Sequence, residues 1–142
     1  MWYEEFLGIP WAGIPDPPHT FNCGELLRWV FRKECGHECA PIPCRDARDL
    51  HGCLESMVPP FYGLVPVPAG EERDKDGVFM ARRRFVDHCG LLVELPGGDR
   101  RVLHCSQLGG TQLSSFGELQ AQGYTTFSFW RALPDGTEKQ NV

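Results

Sequence analysis

The hydrophobic positions follow a helical period near the start of the chain. A helix is predicted to begin at Cys23, because apolar residues recur from there at helical spacing: Leu26, Leu27, Val30 and Phe31. Asn22 or Thr20 is placed to cap its first turn, and Gly36 to end it. Before this helix, residues 1 to 20 predict a short opening helix and then an irregular loop rich in proline, glycine and tryptophan.

Two further segments have helical patterns. A second helix is predicted over Asp46 to Val58, with Leu50, Leu54 and Met57 on one face and Pro59-Pro60 stopping it. A short helix is predicted over Phe116 to Gln122.

The second half of the chain has the pattern of strands. Strands are predicted over Val78 to Met80, His88 to Leu95, Arg101 to Cys105 and Thr125 to Leu133. The turn sequence Pro96 to Asp99 makes the middle two a hairpin, in which positions near 91 lie opposite positions near 104. Helices followed by an antiparallel sheet make an α+β fold, with the N-terminal helices packed on a small sheet.

Length and charge set the class of protein. The 142 residues fit one domain, expected over residues 1–134, with a polar tail over residues 135–142. A net charge of −5 gives no electrostatic footprint for nucleic acid, so no nucleic-acid partner is expected. The run Arg82-Arg83-Arg84 is the one dense basic patch. A solvated turn or strand edge is the favoured interpretation, and a contact for an anionic polymer or a partner protein is the alternative.

The ends and hydropathy of the chain bear on where it acts. No stretch approaches the length of a membrane span, so no membrane insertion is expected. Acidic residues stand at Glu4 and Glu5, where a secretory signal would carry basic ones. The sequence therefore predicts a protein made in the cytoplasm without a signal peptide.

The seven cysteines are an odd number, so they cannot all pair within one chain, and reduced thiols are the expectation. Four of them lie close together, with His37 and His51 between: Cys35, Cys39, Cys44 and Cys53. Their spacing contains no C-x2-C pair, so they are weak candidates for a zinc or iron–sulfur site, and a reduced, thiol-rich loop is favoured. No cofactor is expected. Strand alternation is expected to turn Cys89 and Cys105 into the core.

Three residues have the character of a nucleophile and its base. A thiol at the loop-to-helix junction of Cys23 lies in the positive field of the helix N-terminus, which stabilises a thiolate. Free amides of the first turn could hold an oxyanion. His88 opens a strand, and a modest stagger of the hairpin brings His104 close enough to hydrogen-bond the His88 ring. A buried structural cysteine and two half-buried histidines are the alternative.

The order of these motifs resembles the NlpC/P60 family of cysteine peptidases. The similarity runs over about residues 6 to 131 and is carried by four segments: Gly8-Ile9-Pro10-Trp11, Phe21-Asn22-Cys23-Gly24-Glu25-Leu26-Leu27-Arg28, Asp87-His88-Cys89-Gly90-Leu91 and Val102-Leu103-His104-Cys105. The resemblance implies a reduced papain-like fold and cleavage of peptidoglycan stem peptides, typically between γ-D-glutamate and the diamino acid. It makes Cys23 the nucleophile, His88 the base and His104 the residue that orients it.

The chain is more narrowly similar to the stand-alone peptidases encoded among the tail genes of phages and gene transfer agents. The segment Asp46-Ala47-Arg48-Asp49 matches a helix start in that group. This similarity implies a virion-tail protein that acts in the periplasm or cell wall during genome delivery, with other tail-tip proteins as partners. A structural tail-tip protein with a degenerate site and a secreted wall-degrading toxin are the alternatives.

The motif also differs from the family pattern near the nucleophile. Asn22 replaces an aspartate, and Trp11 stands where many members have a tyrosine that assists the oxyanion, so Trp11, Asn22 and Gly24 are assigned to the oxyanion or substrate. Glu25 would raise the pKa of the Cys23 thiol if its carboxylate pointed inward.

Overall fold

The fold is seen in a computed structural model that describes residues 1–43, 46–49 and 57–136. Within these ranges its helices are α1 (Cys23–Cys35) and α2 (Phe116–Ala121). Its strands are β1 (Val65–Pro66), β2 (Gly77–Ala81), β3 (His88–Glu94), β4 (Arg100–Ser106), β5 (Gly110–Ser115) and β6 (Thr126–Arg131). Short 3-10 turns cover Glu4–Phe6 and Pro59–Tyr62.

The six strands form one sheet in the order β1-β6-β2-β3-β4-β5, and each neighbouring pair is antiparallel. The register of the β3–β4 hairpin places Leu91 opposite Leu103, one residue from the predicted position. The α+β prediction, a helix packed on a small antiparallel sheet, is therefore confirmed.

Two apolar clusters cover the two faces of the sheet. On one face α1 packs over β3 and β4, where Leu27, Phe31, Leu91 and Leu103 are fully buried. On the other face α2 supplies Leu119, which packs with Val78, Leu92 and Val102. Burying the larger cluster fixes α1 against the sheet, since each of these side chains contributes about 1.5–3 kcal/mol to folding.

Both helices have the local signals that their ends require. The Asn22 side chain accepts a hydrogen bond from the amide of Glu25 at 2.8 Å, and Gly36 ends α1 in the left-handed region with φ of 62°. Ser115 and Glu118 form a reciprocal capping box at the start of α2. Asn22 is thus the cap, and Thr20 instead accepts a hydrogen bond from the amide of Asp16.

Several element predictions need correction. The opening helix is only the 3-10 turn at Glu4–Phe6. Of the predicted second helix, residues 46–49 contain a turn rather than a helix, Met57 and Val58 form a bend, and the rest lies outside the described residues. The strands β1 and β5 were not predicted, because a two-residue strand and the mixed sequence of β5 have little hydrophobic alternation.

A buried ion pair ties the last strand to the loop before β2. Asp76, 1% exposed, accepts two hydrogen bonds from the Arg131 guanidinium, both at 2.8 Å. Its second oxygen also accepts from the amide of Arg73.

Among the described residues, no helix is both long and apolar enough to cross a membrane.

Candidate active site

The site begins at the N-terminus of α1, where Cys23 is the first helical residue and is half-buried. Amides of a first helical turn have no acceptor within the helix. The Asn22 side chain takes the amide of Glu25, which leaves those of Cys23 and Gly24 for an external acceptor. The helix end therefore provides a thiol and two amide donors in one place.

The start of β3 meets this helix end. Strand alternation places Cys89 on the face covered by α1, whereas His88 lies on the opposite face with its cross-strand neighbour Met80. Both side chains nevertheless interact with the Cys23 thiol and lower its pKa, because the helix terminus lies at the end of the strand. The expectation that Cys89 turns into the core is right for its burial, but this side chain also contacts Cys23.

The electrostatics of this contact favour a thiolate at Cys23. Its pKa is well below that of an ordinary thiol, mainly because Cys89 donates a hydrogen bond to its sulfur. Burial opposes this effect, and the hydrogen bond and charge of His88 reinforce it. Contact with Cys23 and burial raise the pKa of Cys89 well above the ordinary value, so Cys89 stays a thiol and acts as the donor.

A chain of polar side chains continues from His88 across the sheet. His88 Nε2 lies 2.8 Å from His104 Nδ1, and His104 Nε2 lies 2.7 Å from the Ser114 hydroxyl. His104 is 1% exposed, and burial, assisted by the charge of His88, lowers its pKa to about 3. A neutral His104 carries one ring proton. When His88 is an imidazolium, its Nε2–H donates to His104 Nδ1, and the His104 proton on Nε2 is donated to Ser114.

This bonding scheme fixes the direction in which His88 faces. Because Nε2 is engaged by His104, Nδ1 is the ring nitrogen left for the Cys23 sulfur. Gly90 makes the contact between the two rings possible. A Cβ at Gly90 would lie 2.5 Å from the Leu103 carbonyl oxygen and 3.0 Å from the Cβ of His104.

The residues assigned to the oxyanion or substrate lie in the first turn of α1 or beside the loop that leads into it. Trp11 pairs with Phe21 in a parallel bridge, and Ala12 donates its amide to the Phe21 carbonyl at 2.9 Å. This places the Trp11 segment beside the loop that leads into α1. Gly24 lies in a crowded position, since a Cβ there would be 2.7 Å from both the Tyr62 hydroxyl and the Ile42 side chain.

The Glu25 carboxylate is paired with Arg28. It accepts two hydrogen bonds from Arg28, at 2.9 and 3.0 Å, one turn along α1. The pKa of Cys23 is accordingly set by Cys89, burial and His88 rather than by Glu25.

The weak metal candidates fall in different surroundings. Cys35 ends α1, and burial raises its pKa. Cys39 donates to the Tyr62 carbonyl at 3.7 Å, and burial raises its pKa to about 11. Cys44 and Cys53, like His51, lie outside the described residues. Within the described ranges, no group of three or more histidine, cysteine or acidic side chains is placed to hold a metal ion.

The remaining predicted residues are also placed. Cys105 is buried and donates to the Phe21 carbonyl at 3.5 Å, as expected for a core thiol. The residues of the basic run are exposed in the bend between β2 and β3. Arg82, however, donates to the Tyr124 hydroxyl at 2.7 Å, so it is more than a solvated side chain.

Sequence reasoning missed Ser114 and Tyr124, which both contact the histidines. Ser114 lies on β5, and the Gly109-Gly110 turn signal soon after Cys105 could have indicated a further hairpin. Nothing in the local sequence of Tyr124 separates it from an ordinary core aromatic.

The fold is similar to those of two solved structures. The NlpC/P60 domain of the peptidoglycan hydrolase SagA matches with a TM-score of 0.56 and 16% identity, over 88% of this chain and 89% of that one. A lipoprotein-like protein of the NLP/P60 family from Staphylococcus aureus subsp. aureus Mu50 matches with a TM-score of 0.54 and 20% identity, over 91% of this chain and 38% of that one. No protein-family model and no curated protein matches the sequence. At these identities the comparisons show the fold: the chain is folded like an NlpC/P60 domain, as its motifs predicted.

Proposed function

We propose that this chain is a cysteine peptidase that hydrolyses an amide bond in peptidoglycan stem peptides, of the γ-D-glutamyl–diamino acid type. One observation carries the proposal. Cys23 is the first residue of α1 and its pKa is lowered by Cys89 and by His88, and His88 Nε2 lies 2.8 Å from His104 Nδ1. A nucleophile, a base and a residue that orients the base are the parts that acyl transfer needs.

The first half of the reaction forms an acyl-enzyme. His88 Nδ1 takes the thiol proton of Cys23, and the thiolate attacks the carbonyl carbon of the scissile amide. The C=O electron pair moves to the oxygen, which the amides of the first turn of α1 stabilise. The C–N bond then breaks, and the leaving amine takes its proton from the His88 imidazolium, so that a thioester remains on Cys23.

The second half releases the product. His88 removes a proton from a water molecule, and the hydroxide adds to the thioester carbon. The C–S bond breaks, a new carboxyl group leaves, and the proton returns to the Cys23 sulfur. Throughout this cycle His104 and Ser114 keep Nδ1 of His88 toward the sulfur, and no metal or cofactor takes part in the proposed cycle.

The substrate is inferred from fold and motifs together. SagA, which has the same fold, is a peptidoglycan hydrolase. The four NlpC/P60-like segments in the sequence support the same class of substrate for this chain. The narrower proposal is that the protein is a tail component of a phage-like particle, with tail-tip proteins as partners and the periplasm or cell wall as its place of action. The tail-peptidase-like segment Asp46 to Asp49 supports it.

The test of the activity is digestion of purified Gram-negative sacculi by the wild type, Cys23→Ala and Cys35→Ala, with the fragments identified by mass. Cys35, at the other end of α1, is the matched control for loss of a cysteine. We expect new stem-peptide termini with the wild type and Cys35→Ala only, and the termini will name the bond. Cleavage by Cys23→Ala at the wild-type rate contradicts the proposal. Absence of cleavage by any of the three favours a structural tail-tip role.

The test of the setting is separate. Mass spectrometry of purified phage-like particles is expected to find the protein in the tail, and tail genes are expected beside its gene. An adjacent immunity gene, with no protein in the particles, would favour a wall-degrading toxin instead.

A further inference from the structure

One aromatic side chain covers the imidazole of His88. The Tyr124 ring lies nearly parallel to it, with 5.6 Å between ring centroids and 22° between the planes. Tyr124 is 4% exposed, and it reaches this position from the turn between α2 and β6. His104 meets the same imidazole edge-on, at 5.0 Å and 83°. The two neighbours therefore contact different parts of the His88 ring.

Arg82 fixes the Tyr124 ring in turn. Its Nη2 donates to the Tyr124 hydroxyl at 2.7 Å, and its guanidinium carbon lies 4.5 Å from the ring centroid. Arg82 Nε also lies 3.6 Å from a carboxylate oxygen of Asp87, the residue before His88. Arg82, at the start of the segment that connects β2 to β3, thus contacts both the Tyr124 ring and Asp87 at the end of that segment.

The backbone holds the same three segments together. The amide of Thr125 donates to the Ala81 carbonyl at 3.0 Å, and that of Asp87 to the Met80 carbonyl at 3.1 Å. Gly123 takes a left-handed conformation with φ of 101°, which brings Tyr124 back over the sheet. Backbone hydrogen bonds therefore hold together the segments that carry Arg82, Tyr124 and His88.

An imidazole that must bond two partners through its two nitrogens has little tolerance for rotation. His88 Nε2 lies 2.8 Å from His104, which leaves Nδ1 to face Cys23, and a rotation about the His88 Cβ–Cγ bond would displace both nitrogens. A flat ring against its face restricts that rotation and keeps water from competing for the Nε2–H. We propose that Tyr124, held by Arg82, is a positioning residue for His88. Tyr124 keeps the His88 ring oriented toward Cys23 and excludes water from the hydrogen bond between His88 and His104.

This inference rests on the proposed peptidase function for its meaning, but its test does not require turnover. Four variants are compared with the wild type: Tyr124→Leu, Tyr124→Phe, Arg82→Gln and Phe129→Leu. Phe129 is the matched control, an aromatic of the same apolar cluster that packs against Phe116. Tyr124→Phe keeps the ring and removes only the bond to Arg82.

Three measurements are made on each variant. Low-field proton NMR follows the hydrogen-bonded ring N–H between His88 and His104. Mass spectrometry follows the rate at which iodoacetamide alkylates Cys23. Stem-peptide hydrolysis gives kcat and KM. Thermal unfolding measures the stability of each variant, so that a loss of folded protein is distinguished from a change at the site.

We expect Tyr124→Leu to lose the low-field resonance through exchange with water, and to lower the Cys23 alkylation rate and kcat about tenfold with KM little changed. Tyr124→Phe keeps the ring and its cation–π contact with Arg82, so it should retain the resonance and most of the rate. Arg82→Gln loses both this contact and the bond to the hydroxyl, so its effect should lie between those of Tyr124→Phe and Tyr124→Leu. Phe129→Leu should lose stability only. A wild-type resonance and alkylation rate in Tyr124→Leu overturn the proposal, as does the same loss in Phe129→Leu. If the wild type cleaves no stem peptide, the peptidase function fails, and the resonance and alkylation rates still decide the role of Tyr124.

Discussion

His88 Nε2 and His104 Nδ1 lie 2.8 Å apart, within hydrogen-bonding distance of each other. The contact runs diagonally across the β3–β4 hairpin, and it is possible because Gly90 has no side chain beside it. A base whose orientation depends on a neighbouring ring is sensitive to whatever holds that ring.

Ser114→Ala is expected to weaken the His88–His104 pair, because Ser114 contacts the other ring nitrogen of His104. The substitution leaves the buried Nε2–H of His104 without its acceptor at 2.7 Å, which should cost about 1–3 kcal/mol of unfolding free energy. Activity should fall several-fold as His104 gains freedom. Ser114→Thr, which keeps the hydroxyl, serves as the control in urea unfolding and peptide hydrolysis. A Ser114→Ala protein as stable as the wild type would show that the hydrogen bond between the Ser114 hydroxyl and His104 does not stabilise the fold.

The burial of His104 predicts a pH dependence of stability. Its pKa falls from 6.5 to about 3 on folding, so between these values the unfolded chain binds more protons than the folded one. The titration of His104 therefore leaves the free energy of unfolding undiminished above pH 6.5. As the pH falls from 6.5 toward 3, it lowers the free energy of unfolding by up to about 1.4 kcal/mol per pH unit. Denaturant unfolding of the wild type and His104→Asn between pH 7.5 and about 4 measures this slope. Asparagine does not titrate, so its slope should be shallower. Parallel slopes would contradict the assignment.

Gly90→Ala is expected to disrupt both fold and site. The new methyl would lie 2.5 Å from the Leu103 carbonyl oxygen, so the hairpin must shift at a cost of about 1–3 kcal/mol. Gly117→Ala in α2 is the control, because its methyl finds only the Ser115 hydroxyl, at 3.8 Å. It should leave stability unchanged or raise it by up to about 1 kcal/mol. Thermal unfolding compares the stability of the two variants. Equal effects would mean that the hairpin accommodates the methyl of Gly90→Ala without strain.

Cys89→Ala is expected to raise the pKa of Cys23, because it removes the largest of the effects that lower it. At a given pH below this value, a smaller fraction of Cys23 is then thiolate. The pH profile of Cys23 alkylation should move to higher pH, and the rate at pH values below its midpoint should fall. Cys89→Ser, which retains a donor, should stay closer to the wild type. An unchanged or lower midpoint in Cys89→Ala would show that the Cys89 thiol is no donor to Cys23.

Much of the fold could be predicted because its signals are local. The Asn22 cap, the apolar repeat and Gly36 lie within or next to one helix, so the sequence determined both ends of α1. The turn at residues 96–99 likewise set the β3–β4 register to within one residue. That register brought His88 and His104 together, and so the sequence indicated the pair at the centre of the site.

Only the tertiary structure decided what surrounds that pair. Ser114 lies on a strand with little alternation, and Tyr124 reaches His88 from a turn 36 positions along the chain. Cys89 should face away from the site by alternation, yet it contacts Cys23 because the helix terminus lies at the strand's end. Local sequence encodes helix ends and hairpin turns through short-range hydrogen bonds and periodicity. Contacts between distant segments depend on how the elements pack, and no short stretch of sequence encodes them.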